Sequence, residues 1–360
     1  MINIIYEHGM AEGMRRVIAH IDMDCFFCAC EVKKDPSLKG KAVIVGSTGN
    51  RGVVSAASYE ARKYGVFSAI PISTARRQCP DGVFLPVDKD LYREESANVM
   101  SILSRFSDTM RQMSVDEAFL DLTEMSKGFK SLEAMAGHIK KTLETETGLS
   151  CSIGVADSTI VAKIASDHNK PSGITVVHDT ARFLEDLPIS KVPGIGKLSE
   201  ESYQDKGIEH VGDFKKKSNA ELYQHFGASG LFYKRLALGE FSNTIEQDGP
   251  RKSVSRETTL EKDTHNIIEL EKEIMKLCKE VHEDLEGGFF KTVSIKIRYS
   301  DFSTMTRDQS FKTPSNSIDS VSDTALALFR RTITSKTDVR LLGVKLGNIE
   351  EHGQMTLTAR

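Results

Sequence analysis

Three carboxylates stand where an apolar strand should not tolerate them, and they constrain this fold more than any other feature. Asp22 closes the run Val17-Ile18-Ala19-His20-Ile21, and Asp116 and Glu117 lie between Val115 and Ala118-Phe119-Leu120. A charge inside an apolar strand is costly to bury unless it is paired or binds a metal. Successive strand side chains point to opposite faces, so Asp116 and Glu117 can share one site only where the strand ends or turns. The pattern predicts two strands ending at a sheet edge that faces a cleft. Hard divalent ions take oxygen ligands, and Mg²⁺ favours a few carboxylates plus substrate phosphates. Two such ions about 3.5–4 Å apart can activate a hydroxyl and stabilise a leaving pyrophosphate. Taken alone the signal is weak, because solvated carboxylates at strand ends are common. Asp24 either shares the face of Asp22 or has a structural role.

The 360 residues suffice for two or three packed domains. With 39% hydrophobic and 28% charged residues, the chain reads as soluble and globular. No apolar run approaches the ~20 residues of a membrane span, and the start lacks a secretory signal layout. A cytoplasmic location with no membrane partner is expected. The net charge of −3 lacks the basic surplus usual for a nucleic-acid protein. A basic groove can still coexist with an acidic exterior, and metal-binding carboxylates add negative charge. Cys25, Cys28 and Cys30 have no second pair at zinc spacing, so they read as small core residues at a helix start.

Apolar periodicity predicts strands at 17–21, 42–45, 114–122 and 150–155, with helices at 26–34, 59–63, 91–105, 132–146 and 158–167, the stretch 53–57 leading into the second of these helices. Alternating strands and helices up to about residue 178 imply an α/β or α+β sheet domain. Short helices with glycine turns follow to about 240. The last part combines strands at 292–299 and 339–347 with helices at 267–285 and 319–332.

Several longer runs follow one another along the chain. They are His20-Ile21-Asp22-Met23-Asp24-Cys25-Phe26-Phe27, Ser58-Tyr59-Glu60-Ala61-Arg62-Lys63-Tyr64-Gly65-Val66 and Ser114-Val115-Asp116-Glu117-Ala118-Phe119-Leu120-Asp121. Ala162-Lys163-Ile164-Ala165-Ser166-Asp167, Asn169-Lys170-Pro171-Ser172-Gly173 and Val192-Pro193-Gly194-Ile195-Gly196 follow. These runs, in this order, resemble the Y-family DNA polymerases of the DinB branch, and the resemblance covers roughly residues 17–350. It implies an α+β right-hand polymerase with palm, small fingers, a helical helix-hairpin-helix thumb and a C-terminal α/β little finger. The implied boundaries are an extension at 1–14, palm at 15–25 and 88–177, fingers at 26–87, thumb at 178–243, linker at 244–254, little finger at 255–350 and a tail at 351–360.

The resemblance also implies roles. Asp22, Asp116 and Glu117, with the Met23 carbonyl, would hold two Mg²⁺ ions, and Mn²⁺ would suit the same oxygens. Phe26 and Phe27 would adjoin the nucleotide, Phe27 excluding a 2′-hydroxyl, although simple core packing also explains Phe26. Tyr59, Arg62 and Lys170 would grip the triphosphate, as guanidinium, ammonium and phenol donors suit phosphate oxygens. Ala56 departs from the family, which often has Thr there, so one hydroxyl donor is missing. The small residues 55–58 would leave a roomy ceiling over the nascent base pair, a feature that in the family accompanies low fidelity.

For DNA, the turn at Gly194 and Gly196 leading into Lys197 would bring backbone N–H groups to a phosphate. Val293, Ile295, Ile297 and Tyr299 alternate with Ser294, Lys296 and Arg298, so one face is apolar and the other basic. Arg251, Lys252, Arg256 and Arg340 are further candidates, as is the run Lys215-Lys216-Lys217. The expected partners are primer-template DNA and deoxynucleoside triphosphates, acting on a monomer. Gln354-Met355-Thr356-Leu357 resembles half of a sliding-clamp-binding peptide without its aromatic pair. The implied function is low-fidelity translesion DNA synthesis without a proofreading exonuclease. The rival is a non-catalytic DNA-binding scaffold, which predicts loss of a metal carboxylate; all three are present.

Overall fold

The computed structural model describes residues 16–47, 49, 51–240, 245, 249–333 and 337–350. The extension at 1–14 and the tail at 354–357 lie outside the described residues. The chain forms two compact units that divide between Gln247 and Asp248.

The first unit begins with β1 (Ile18–Met23), α1 (Phe26–Lys34), β2 (Val43–Gly46), β3 (Val54–Ala57), α2 (Tyr59–Arg62), α3 (Ile72–Gln78) and β4 (Val83–Leu85). It continues with α4 (Lys89–Leu103), β5 (Met110–Gln112), β6 (Glu117–Asp121), α5 (Thr123–Ser126), α6 (Leu132–Thr147), β7 (Cys151–Ala156), α7 (Thr159–His168) and β8 (Ile174–Val176). Three helices close it: α8 (Thr180–Glu185), α9 (Lys197–Gln204) and α10 (Asn219–Leu238).

Its main sheet has the order β5-β6-β1-β7-β8, and a small one has the order β3-β2-β4. Every residue of β1 is buried, because both faces of this central strand are covered. Ala19, Ile21 and Met23 enter one core with Val99 of α4 and Ile139 of α6. Ile18 enters another with Val161 and Ile164 of α7. By strand alternation His20 and Asp22 share the α7 side. Helix α7 lies very close to β7 at Gly154, where a Cβ would sit 2.1 Å from the Ala162 carbonyl oxygen.

The strand expected at 114–122 starts only at Glu117. Met113 N–H and Ser114 N–H both donate to the Glu117 carbonyl, and Asp116 N–H donates to the Ser114 hydroxyl. Those local bonds turn the chain from β5 into β6 and leave Asp116 outside the ladder.

The second unit contains β9 (Ser253–Thr264), α11 (Ile267–Glu283), β10 (Phe290–Tyr299), β11 (Thr304–Ser315), α12 (Ile318–Thr332) and β12 (Val339–Gly347). The sheet order is β11-β10-β12-β9, antiparallel throughout. Val293, Ile295, Ile297 and Tyr299 are buried with Ile274 of α11 and Phe329 of α12, as the alternation predicts. Strands β9 and β11 were not expected. Both are edge strands with polar residues at most positions, so apolar periodicity is faint there. Among the described residues no helix is long and apolar enough to cross a membrane.

Candidate active site

Asp22, next to last in β1, lies directly opposite Glu117, the first residue of β6. Directly paired residues share a face, so both carboxylates project toward α7. Asp116 joins them through the turn, its carbonyl accepting from Met23 N–H at 3.0 Å. The sheet edge therefore brings the three acids close along the backbone, although the Asp116 carboxylate is engaged by the Ser114 hydroxyl at 2.5 Å.

Two lysines face this group. Lys170 Nζ is 2.7 Å from Asp22 Oδ2 and 2.7 Å from Asp167 Oδ1. Lys163 Nζ pairs with Glu117 Oε2. Lys163 and Ser166 share one face of α7, and Lys170 follows in the loop just past its end. His20, fully buried, places Nδ1 2.7 Å from the Ser166 hydroxyl and Nε2 3.5 Å from Glu117.

The electrostatics are uneven. Burial pushes Asp22 up to about 7 against the pull of Lys170, and the Glu117 and Asp116 charges add to the rise. The His20 ring and Lys163 hold Glu117 down at about 2, against burial. Burial lowers the His20 pKa, against the pull of the Glu117 carboxylate. Three carboxylates, Asp22, Asp116 and Glu117, stand beside two ammonium groups, Lys163 and Lys170. That donor set, hard oxygens with a surplus of negative charge, fits divalent cations. Among the described residues the three acids are not gathered into a formed metal cage.

Phe26 is 2% exposed and belongs to the core, whereas Phe27 is half-buried. Tyr59 and Arg62 stand one turn apart on α2, with the guanidinium 4.6 Å above the phenol ring. Arg62 Nε also donates to the Ala57 carbonyl at 3.1 Å. The Tyr59 phenol donates to Asp24 Oδ1 at 3.3 Å. It has a single proton, so a phosphate oxygen would compete with Asp24 for it. Ser58 is committed to structure: its hydroxyl caps α2 through Ala61 N–H and accepts from Val43 N–H at 3.1 Å. Ala56 is half-buried against the main core. Cys28 and Cys30 are buried core residues, and burial pushes the Cys30 thiol up to about 12.

Gly194 takes φ +90, and Gly196 caps α9 with open space around it. Lys197 begins the helix. In the second unit Lys296 and Arg298 are half-exposed on the sheet face away from the helices. Lys296 reaches Glu257 at 2.9 Å across Gly343, where a Cβ would meet the Glu257 side chain at 2.8 Å. Arg298 donates to the Thr304 hydroxyl, and Arg340 lies 4.7 Å over the Phe302 ring. Arg256 differs from the expectation of a phosphate contact. It pairs opposite the buried Val344 and makes a two-pronged ion pair with Asp284, at 2.5 and 2.7 Å.

Sequence reasoning gave Lys163, His20 and Tyr92 no role at the site. The helical spacing of Lys163 and Ser166, just ahead of Lys170, was a usable signal. The Tyr92 ring stacks on Phe27, and no local signal ties the two, because α1 and α4 meet only in the fold.

The chain matches the impB/mucB/samB family over residues 21–167 and that family's C-terminal domain over 251–358. It is 40% identical to a DNA polymerase IV of Methanoculleus marisnigri, over 93% of this chain and 95% of the relative. A DNA polymerase IV of Listeria monocytogenes is also 40% identical, over 93% and 96%. A Y-family DNA polymerase chimera of Dbh and Dpo4 superimposes with a TM-score of 0.85 at 30% identity, over 93% of this chain and all 100% of that one. An insertion ternary complex of Dbh DNA polymerase gives a TM-score of 0.65 at 29% identity, over 93% and 100%. With such relatives spanning nearly the whole length and both motif strands meeting at Asp22 and Glu117, the chain belongs to the Y family of DNA polymerases.

Proposed function

We propose that this chain is a DNA-directed DNA polymerase of low fidelity that acts in translesion synthesis. A primer 3′-hydroxyl attacks the α-phosphate of a deoxynucleoside triphosphate. The new phosphodiester forms as the bond to pyrophosphate breaks. The observation that carries the reading is the placement of Asp22 opposite Glu117 with Asp116 at the adjoining turn. The curated relatives named DNA polymerase IV support it.

The finer reading assigns the β5-β6-β1-β7-β8 sheet to the palm, the β3-β2-β4 sheet to the fingers, the helices at 180–238 to the thumb and the second unit to the little finger. Asp22, Asp116, Glu117 and the Met23 carbonyl would hold two Mg²⁺ ions, and Mn²⁺ accepts the same oxygens. Bound there, the ions supply charge neutralisation and raise the acidity of the attacking hydroxyl. Lys170, beside Asp22, offers its ammonium to the triphosphate, and Tyr59 and Arg62 do so from α2. Phe27 lies under the sugar and leaves no space for a 2′-hydroxyl. Phosphoryl transfer needs mainly positioning and charge stabilisation, so this set needs no covalent nucleophile. Gly194, Gly196 and Lys197 contact a phosphate without reading sequence, as do Lys296, Arg298 and Arg340. The protein acts as a monomer in the cytoplasm. The clamp contact at 354–357 rests on sequence alone, and titration of that tail with a sliding clamp tests it.

Extension of a primer past a single abasic site tests the function. Insertion opposite the lesion is expected. Extension on intact template that stops one nucleotide before the lesion contradicts the translesion assignment.

A further inference from the structure

The loop that carries Lys170 and the helix that carries Tyr59 are distant in sequence, yet one carboxylate touches both. Asp24 is 4% exposed. Its Oδ1 accepts from the Ser152 hydroxyl at 2.8 Å and from the Tyr59 phenol at 3.3 Å. Its Oδ2 accepts from Ser172 N–H at 2.9 Å. Ser152, wholly buried on β7, also accepts from Gly173 N–H at 3.4 Å. Asp24 and Ser152 therefore hold two successive backbone N–H groups of the loop just after Lys170.

The loop needs that hold. Ser172 has φ +57, a conformation that a residue with a Cβ adopts at some cost. At Gly173 a Cβ would stand 2.0 Å from the Asn169 carbonyl oxygen, so the loop folds back tightly on the end of α7. Lys170 is thereby delivered to Asp22. A buried carboxylate is costly unless its oxygens are satisfied, and here both are used by neutral donors. An oxygen pair suits this arrangement because every partner donates. An amide at the same place would set an N–H₂ against one of those donors.

We propose that Asp24 is a positioning residue for triphosphate recognition. It meets neither substrate nor metal, and it fixes the Lys170 loop and the Tyr59 ring relative to the carboxylate edge. The inference rests on the reading above that Lys170 holds the incoming triphosphate. It assigns to the second acid of the Asp22-Met23-Asp24 run a task separate from that of the first. Asp24 then governs nucleotide affinity, whereas Asp22 governs the chemical step.

Single-nucleotide insertion kinetics on intact primer-template separate the two. Asp24→Asn is expected to raise KM for the nucleotide roughly tenfold, since charge-assisted hydrogen bonds that order the loop are lost, with kcat changed by less than about threefold. Ser152→Ala, which spares the charge and is milder for folding, is expected to raise KM in the same direction by about threefold. Lys170→Ala should raise KM as well, and adding Asp24→Asn to it should add little, because the two act as one unit. A KM that rises for Lys170→Ala but stays at the wild-type value in Asp24→Asn and Ser152→Ala overturns this inference alone. A fully additive double variant overturns it too. An unchanged KM for Lys170→Ala overturns the underlying reading of Lys170.

Discussion

Phe27 lies flat against Tyr92, with ring centroids 4.1 Å apart and planes 10° from parallel. The phenol of Tyr92 donates to Glu31 at 2.6 Å, one helical turn beyond Phe27 on α1. Tyr92 thus braces the ring proposed to exclude a 2′-hydroxyl and anchors the helix that carries it. Tyr92→Leu should reduce discrimination against ribonucleotides by roughly tenfold, because a site that rejects a group by shape loses that power when its wall can move. Tyr92→Phe keeps the ring stack and should retain discrimination. Its cost should appear in stability, about 1–3 kcal/mol for leaving the buried Glu31 carboxylate without its donor. Competing insertion of ribo- and deoxynucleotides checks the first statement, and denaturant melts check the second.

The close approach of α7 to β7 predicts a steric effect. A methyl at Gly154 would lie 2.1 Å from the Ala162 carbonyl oxygen and 2.3 Å from Ser166 N, both backbone atoms that cannot swing aside. Gly154→Ala should cost at least about 1–3 kcal/mol of stability. It should also displace Lys163 and Ser166 and lower insertion activity. A melting midpoint equal to wild type would show that α7 yields without penalty.

Asp213 supplies a pH dependence. Its carboxylate accepts from His210 N–H at 2.9 Å and Glu209 N–H at 3.1 Å and pairs with Lys216 at 2.7 Å. Burial opposes ionisation, yet Lys216 and the two N–H groups hold the pKa down at about 2, against 3.8 for the free group. The folded pKa is depressed, so this stabilisation is present above the unfolded value and is lost as pH falls through the folded one. The stability gap between wild type and Asp213→Asn should be full above about pH 4–5 and close toward about pH 2. Denaturation midpoints measured across that range check it, and a gap independent of pH would contradict the assigned contacts.

The site was legible where charge interrupts an apolar pattern, and obscure where contacts cross between elements. Asp22 and Glu117 stand out because a charge inside an apolar run is costly, and strand alternation requires the chain to end or turn near Asp116 and Glu117 without saying where. The helix at Phe26–Lys34 also matches its sequence expectation. Arg256 could not be placed, because its direction depends on the register of β9 against β12. One residue of parity separates it from Glu257, which turns outward to Lys296. Tyr92 looks like any core aromatic of an amphipathic helix until α4 meets α1. Edge strands β9 and β11 stay hidden because solvent-facing polar residues dominate them.

The outward face of the second unit predicts a salt effect. Lys296 is engaged by Glu257, and a DNA phosphate would have to displace that carboxylate. Lys296→Ala and Arg298→Ala should each lower the slope of log affinity against log salt by about 0.9, the value for one phosphate contact. Glu257→Gln frees Lys296 and should tighten binding modestly. Binding isotherms on primer-template duplex at several salt concentrations measure all three, and unchanged slopes would remove this face from the DNA interface.

Primer extension with deoxynucleotides and Mg²⁺, comparing wild type with Asp116→Ala, tests the central claim most directly. The account predicts templated extension by wild type and its loss in the variant while duplex binding persists, since Asp116 lies in a half-buried turn outside the strand ladder. Extension that survives in Asp116→Ala would contradict the proposed metal site. Duplex binding without extension by either protein would contradict the polymerase itself.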